Sequence, residues 1–203
     1  MSTDERRSVR VPVDQGGAAA AVETRVSPVA GMGRPHWSVE LLRFGLGWVF
    51  LWAFADKAFG WGYSTQSSQG WVRGGSPTRG FLSHVEVGPW QSGFRSMAGN
   101  GWADWLFMIG LLGIGVALIT GVLLRVAAVA GSILLVLMWV AEWPMARFTS
   151  TGTASGSTNP FLDYHLIFAV GLIVVATLGV GSAWGLGRWW SRRPVVQQYR
   201  ILR

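Results

Sequence analysis

Apolar residues dominate four stretches of the chain, and each stretch is bounded by tryptophan, proline or charged residues. A helix needs about 20 apolar residues to cross the hydrocarbon core of a bilayer. Each stretch is about that long, so the pattern predicts an all-α integral membrane protein built as a four-helix bundle. The predicted spans are approximately residues 39–59, 105–124, 126–143 and 161–184.

The second and third spans form one hairpin, because only a short turn with the single charge Arg125 separates them. Acidic residues lie at the two far ends of this hairpin, at Asp104 and Glu142. Two antiparallel passes return the chain to the side from which it started. We therefore expect both acids on the same side of the membrane.

Polar segments surround these spans and complete the predicted organisation. Residues 1–35 lack an apolar period and are expected to be a disordered cytoplasmic tail. Residues 36–190 hold the transmembrane domain, in which residues 60–101 form a long outer loop, and residues 191–203 are a basic cytoplasmic tail. Pro77 and Pro89 suit the first turns of two short surface helices in that loop. The second would place Trp90, Phe94 and Met97 on one apolar side, and both would lie along the interface or fold over the bundle mouth.

Small residues at four-residue spacing predict where helices approach closely in lipid. Gly113, Ala117 and Gly121 form such a seam on the second span, and Ala127 with Gly131 repeats the spacing on the third. Near the start of the first span, Glu40 and Arg43 are three residues apart and can pair on one helical face.

Composition and charge support a membrane location. The chain is 50% hydrophobic and 13% charged, and many of its 13 tryptophans flank apolar runs, where indole rings favour the headgroup level. The net charge of +7 does not predict a nucleic-acid partner, because the basic residues flank the spans. Twelve of the 17 Lys and Arg residues lie in the N-terminal segment, the central turn and the C-terminal tail. Positive residues stay in the cytoplasm, so we predict a multi-pass protein of the cell membrane with both termini cytoplasmic.

Absent and scarce residue types exclude several cofactors. Without cysteine, the chain cannot form disulfides, cysteine-held iron–sulfur clusters or a c-type haem attachment. Of three histidines, only His165 reaches a span. A b-type haem held between two helices needs two such residues, so neither haem nor a metal site is predicted, and no covalently bound cofactor is expected.

Every predicted span brings an ionisable group to the outer side. Charges in spans are costly, at about 2.5–3.5 kcal/mol near the helix centre and less near the ends, and they usually face the bundle interior and pair. Helical phase favours Lys57, Glu142 and His165 as inward-facing catalytic candidates, with Asp56 next. Asp163 and His165 are about 200° apart on a regular helix, so one of them is expected to face elsewhere. The alternative interpretation is that these groups only mark helix ends, with their heads in water or at a helix dipole.

Four motifs resemble the DoxX/DoxD family, specifically its DoxD-like branch. They are RFGLGWVFLWAFADKAFG in the first span, GGSPTRGFLS followed by GPW in the outer loop, GLLGIGVALITGVLLRVAAVAG in the hairpin, and STNPFLDYHLIF at the start of the last span. The likeness covers about residues 38–190.

The resemblance implies the large subunit of a thiosulfate:quinone oxidoreductase, in which thiosulfate is oxidised outside the cytoplasm and membrane quinone accepts the electrons. Nothing in this chain resembles the small redox partner subunit of such enzymes. On this interpretation Arg73, Arg79 and Arg95, with Lys57, attract the dianionic substrate. Glu142, His165 or Tyr164 would hydrogen-bond the quinone or move its protons. The predicted substrate-binding residues are Arg73, Arg79, Arg95, Asp104, Asp163 and Tyr164.

Two other functions stay open from the sequence. A non-enzymatic scaffold or anchor for a redox complex would have paired outer acids and a closed mouth. A transporter or proton path would need polar groups through the midplane, where the sequence offers only Thr120, Ser132 and Thr177 toward the inner halves. The transporter therefore ranks last.

Overall fold

A computed structural model describes residues 37–178 and 186–202, and within those ranges the protein is all-helical, without a β-strand. The predicted tail 1–35 and the end of the fourth predicted span, residues 179–184, lie outside the described residues. The helices are α1 (Trp37–Phe59), α2 (Arg79–Leu82), α3 (Gln91–Met97), α4 (Gly101–Thr120), α5 (Leu124–Glu142), α6 (Tyr164–Leu178), α7 (Leu186–Ser191) and α8 (Pro194–Gln198).

Three helices, α1, α4 and α5, are long and apolar enough to cross a membrane, and α6 is a shorter apolar helix of 15 residues. They coincide with the predicted spans, with shifted ends. The second span was expected to reach residue 124, but α4 ends at Thr120 because Gly121 takes the left-handed conformation, with a φ of 75°, and caps the helix.

The core lies between these four helices. Helix α1 packs against α4 and α6, and α5 packs against the same two helices. The surface away from the core stays strongly apolar, since Trp48, Leu106, Ile109, Ile133 and Ile173 are all exposed. An exposed apolar surface of this kind suits hydrocarbon rather than water.

The close approach of α1 to α4 uses a different face from the predicted one. No atom lies within 4 Å of the position that a Cβ would occupy at Gly113, so the predicted seam of Gly113, Ala117 and Gly121 is wrong at its first residue. At Gly115, such a Cβ would lie 2.7 Å from Leu51 Cγ and 3.0 Å from the Leu51 backbone nitrogen. The prediction for α5 is confirmed at Gly131, where a Cβ would lie 2.6 Å from Leu172 Cδ1.

The two glycines of α4 give a matched pair of substitutions. We expect Gly115→Ala to destabilise the protein by about 1–3 kcal/mol, because the methyl group overpacks the contact with α1. Gly113→Ala should be neutral or slightly stabilising, since alanine favours a helix by up to about 1 kcal/mol over glycine. Unfolding in mixed micelles on addition of SDS measures both. Equal effects of the two substitutions would contradict the packing described above.

The loop between α1 and α4 folds over the end of α5, one of the two placements predicted for it. Val85 and Phe94 are buried against Ala141, and Met97 and Val140 pack around them. Trp90, which was expected on the same apolar side as Phe94 and Met97, is instead 67% exposed. The reason is that Trp90 is the N-cap of α3 and precedes its first turn, so it does not share the helical phase.

At the other end of α1, a buried ion pair ties this helix to α4. The predicted pairing of Glu40 with Arg43 is confirmed: Arg43 Nε lies 2.7 Å from Glu40 Oε2. Arg43 also donates from Nη1 to the carbonyl oxygens of Leu118 and Ile119, the latter at 3.0 Å. Because the last carbonyls of a helix lack intrahelical partners, Arg43 satisfies the C-terminal end of α4 from a neighbouring helix.

Candidate functional site

The predicted site residues gather at one end of the helices, where α1 and α5 finish and α4 and α6 begin. We call this the loop end. The two connecting segments meet there, since Val85 and Phe94 of the first pack on Ala141, and Ser150 of the second donates to Glu86 at 3.4 Å. The loop end is therefore a continuous surface built from both segments.

Four side chains at the end of α5 and the start of α6 form an acid–histidine cluster, made of Glu142, Tyr164, His165 and the preceding Asp163. His165 Nδ1 lies 2.8 Å from Asp163 Oδ2 and 3.8 Å from Glu142 Oε2. The Tyr164 hydroxyl donates to Glu142 Oε1 at 3.1 Å. The end of one helix and the start of the next thus supply one connected network of ionisable groups.

The expectation that Asp163 and His165 face different directions is wrong. It assumed that both belong to a regular helix, but α6 begins at Tyr164, one residue after Asp163. Asp163 Oδ1 accepts a hydrogen bond from the Leu166 backbone nitrogen at 3.2 Å, as the side chain of an N-cap residue does. Its second oxygen is then placed to accept from His165 Nδ1.

The cluster connects a buried ring to the surface. His165 is only 1% exposed, and its Nε2 has no hydrogen-bond partner in the part of the chain that the structure describes. Glu142 and Tyr164 are exposed at the other side of the cluster. A hydrogen on Nδ1, facing the Asp163 carboxylate, leaves a lone pair on Nε2. The arrangement therefore places the buried ring 3.8 Å from an exposed carboxylate, a distance longer than a direct hydrogen bond.

The same three ionisable groups could also hold a metal ion. One ligand atom from each of Glu142, Asp163 and His165 lies within 4.8 Å of the other two, a spacing that a divalent cation can bridge. Histidine nitrogen and carboxylate oxygen are both ligand types that zinc accepts. The ion would compete with the hydrogen bond that already joins His165 to Asp163.

Asp56 and Lys57 lie at the loop end but engage the loop, not the cluster. Asp56 is 1% exposed and accepts hydrogen bonds from the Tyr63 and Ser64 backbone nitrogens and from Ser64 Oγ, the last at 2.7 Å. Lys57 Nζ donates to Ser64 Oγ at 3.2 Å. Among the described residues, no hydrogen bond or ion pair joins either side chain to the cluster. Of the four predicted catalytic residues, the structure brings Glu142 and His165 together.

Asp104 anchors the loop to the start of α4. It is buried, and its Oδ1 accepts from Ser76 Oγ at 2.9 Å, from the Thr78 backbone nitrogen at 2.9 Å and from Thr78 Oγ1 at 2.6 Å. Asp104, a predicted substrate-binding residue, thus forms hydrogen bonds with the loop through Oδ1. Sequence reasoning missed the role of Ser64 and Thr78, because a hydroxyl in a polar loop carries no periodic signal.

The three predicted anion-binding arginines differ in their surroundings. Arg95 Nε donates to the Val85 carbonyl at 2.8 Å, which fixes α3 within the loop, and the Arg79 guanidinium lies beside Gly99. Arg73 lines a cavity of about 660 Å³, which we call the Arg73 cavity, and donates to the backbone and hydroxyl oxygens of Ser67. The other lining residues are Phe59, Gly60, Trp61, Ser67 and Val72.

Comparison of the chain with protein-family models, with curated proteins and with solved structures finds no match. The resemblance to the DoxX/DoxD family therefore stays a prediction. What the protein does has to be inferred from the acid–histidine cluster and the Arg73 cavity.

Proposed function

We propose that the chain is a DoxX/DoxD-like subunit of a thiosulfate:quinone-type oxidoreductase. It is a four-helix bundle of the cell membrane, with α6 as the fourth pass, both termini in the cytoplasm and the loop end outside. The observation that carries the proposal is the buried His165 Nε2, unpartnered among the described residues and linked through Nδ1 to Asp163 and Glu142.

The reaction needs protons as well as electrons. Two thiosulfate ions each lose one electron and join through a new S–S bond to give tetrathionate, while one quinone takes up two electrons and two protons. This chain has no cysteine with which to hold an iron–sulfur cluster. We therefore assign the transfer of electrons from thiosulfate to a redox partner subunit. The part of the present chain is to position the quinone and to deliver its protons.

The acid–histidine cluster has the groups needed to position a quinone and to deliver protons to it. Membrane quinone arrives through lipid, and the exposed apolar sides of the helices are the surface that it would meet. When both ring nitrogens of His165 carry a hydrogen, Nδ1 donates to Asp163 and Nε2 can donate to a quinone oxygen. Glu142 is partly exposed and bonded to Tyr164, so it can take protons from outside water and pass them toward the ring.

The Arg73 cavity is the proposed binding site for the thiosulfate anion. A planar guanidinium pairs well with an oxyanion, and Arg73 lines this cavity beside Phe59 and Trp61. Lys57, Arg79 and Arg95 lie on the same loop end and add positive potential that attracts a dianion. Asp56 and Asp104 contribute indirectly, by holding the loop in place.

Turnover tests the proposal directly. Protein purified with its co-purifying partner should reduce a short-chain quinone analogue when thiosulfate is added. Arg73→Gln should raise the KM for thiosulfate about tenfold with little change in kcat, because it removes charge at the anion cavity and leaves the cluster intact. Arg147→Gln, an exposed arginine of the other connecting segment, is the control. A preparation with its partner bound and no thiosulfate-dependent reduction would end the proposal.

The second candidate is a membrane scaffold or anchor for a redox complex. This candidate is favoured by the carboxylates of Asp56 and Asp104, which each accept several hydrogen bonds from loop donors. Carboxylates bonded in this way hold the loop in place and do not need a substrate as a partner. In that case a stoichiometric partner would remain bound in every cluster variant. Electron transfer by the partner would be unaffected by those variants.

A further inference from the structure

The C-terminal segment is folded onto the rest of the protein. Helices α7 and α8 are followed by a 3₁₀ turn, Arg200–Leu202, that packs against α5. Val196 is fully buried, and Trp190 Nε1 donates to the Leu202 carbonyl at 2.7 Å. The basic residues of this segment are therefore held in a defined arrangement.

These basic residues surround a cavity of about 430 Å³, which we call the arginine cavity. It is lined by Arg188, Trp189, Arg192, Arg193 and Pro194. The Arg193 guanidinium lies 4.0 Å over the ring of Trp189. Three guanidinium groups and one indole thus border one pocket that is open at the protein surface.

Two of the arginines that line the cavity, Arg192 and Arg193, have no acidic partner among the described residues. Residues 186–202 contain no aspartate or glutamate. Like charges held close together repel one another. An anion bound in the cavity would therefore reduce the electrostatic repulsion between the guanidinium groups.

We propose that the arginine cavity binds the phosphate of an anionic phospholipid. Guanidinium groups pair with phosphate oxygens through parallel hydrogen bonds, and basic residues beside a membrane-spanning helix attract anionic headgroups. Exposed apolar side chains, Leu186, Trp189 and Val195, belong to the same segment. They favour a lipid over free phosphate, because acyl chains would cover them and a soluble ion would not.

This inference rests on the membrane setting of the proposed function but not on catalysis, so an inert protein can still bind. The test compares purified protein in mixed micelles containing phosphatidylglycerol or phosphatidylcholine, with tryptophan fluorescence and Tm as readouts. Phosphatidylglycerol should raise Tm, and the double variant Arg192→Gln/Arg193→Gln should bind it about thirtyfold more weakly. That factor follows from about 1 kcal/mol for each basic residue at an anionic surface.

The matched control for the single variant Arg192→Gln is Arg147→Gln, which removes the same charge at the loop end and should bind phosphatidylglycerol like the wild type. Equal weakening in Arg192→Gln and Arg147→Gln would mean diffuse charge attraction and would overturn the proposal. Inorganic phosphate that raises Tm as strongly as phosphatidylglycerol would assign the cavity to a free anion instead. No preference for phosphatidylglycerol over phosphatidylcholine would also overturn it. The single variant Arg192→Gln applies the same test if the double variant does not fold.

Discussion

Arg43→Met lowers the free energy of unfolding by about 3–5 kcal/mol, the expected cost of removing one partner from a buried ion pair. The arginine is 1% exposed, and its loss leaves the Glu40 carboxylate without its counter-ion and the carbonyls of Leu118 and Ile119 without their donor. Unfolding by SDS in mixed micelles measures the effect. Because Arg43 links α1 to α4, the same variant should loosen the helix pair that carries the loop.

Two further variants identify the cause of that loss. Glu40→Gln/Arg43→Met should recover part of the stability, since it removes the uncompensated charge that the single variant leaves behind. Leu41→Ala, at an exposed position of the same helix, should have little effect in detergent. A loss below about 1 kcal/mol for Arg43→Met would show that the pair behaves like a surface salt bridge.

His165→Asn should reduce kcat for quinone reduction at least about 100-fold, the smallest contribution usual for a positioned acid–base group. Asparagine can still donate to Asp163 from its amide, in place of Nδ1, but it has no counterpart of the buried Nε2. The KM for thiosulfate should hardly change, because the Arg73 cavity is untouched. Steady-state rates, with circular dichroism as a check on folding, decide the outcome.

The control for this prediction is His84→Asn. His84 is exposed in the loop, where its Nδ1 lies 2.7 Å from the Gly80 carbonyl oxygen, and it should leave the rate unchanged. If His165→Asn turned over like the wild type while the partner stayed bound, the cluster would be structural. The scaffold would then be the better interpretation.

The helices could be predicted because their cause is local. An apolar run of about 20 residues is enough to specify a membrane-spanning helix. The exact ends at Gly121 and Asp163 were not predicted, although both follow from backbone and side-chain preferences that act within a few residues. The pairing of Glu40 with Arg43 was predictable for the same reason, since three residues of spacing place them on one face.

The packing face of α4 could not be predicted. This helix is apolar nearly all round, and it has glycines in more than one helical phase, so neither pattern selects Gly115 over Gly113. Which phase is buried depends on the shape of α1, whose Leu51 fills the space above Gly115. That information lies in another part of the chain.

The sequence by itself determined the helices, the end of the molecule where acids gather, and the set of ionisable residues available for chemistry. Only the tertiary structure decided which of them act together. Asp56 and Asp104 are taken up by hydroxyl and amide donors of the loop, whereas His165 keeps one nitrogen free of a partner among the described residues. The physical reason is that a hydrogen bond needs two groups within about 3 Å, and chain distance does not set that spacing across a loop.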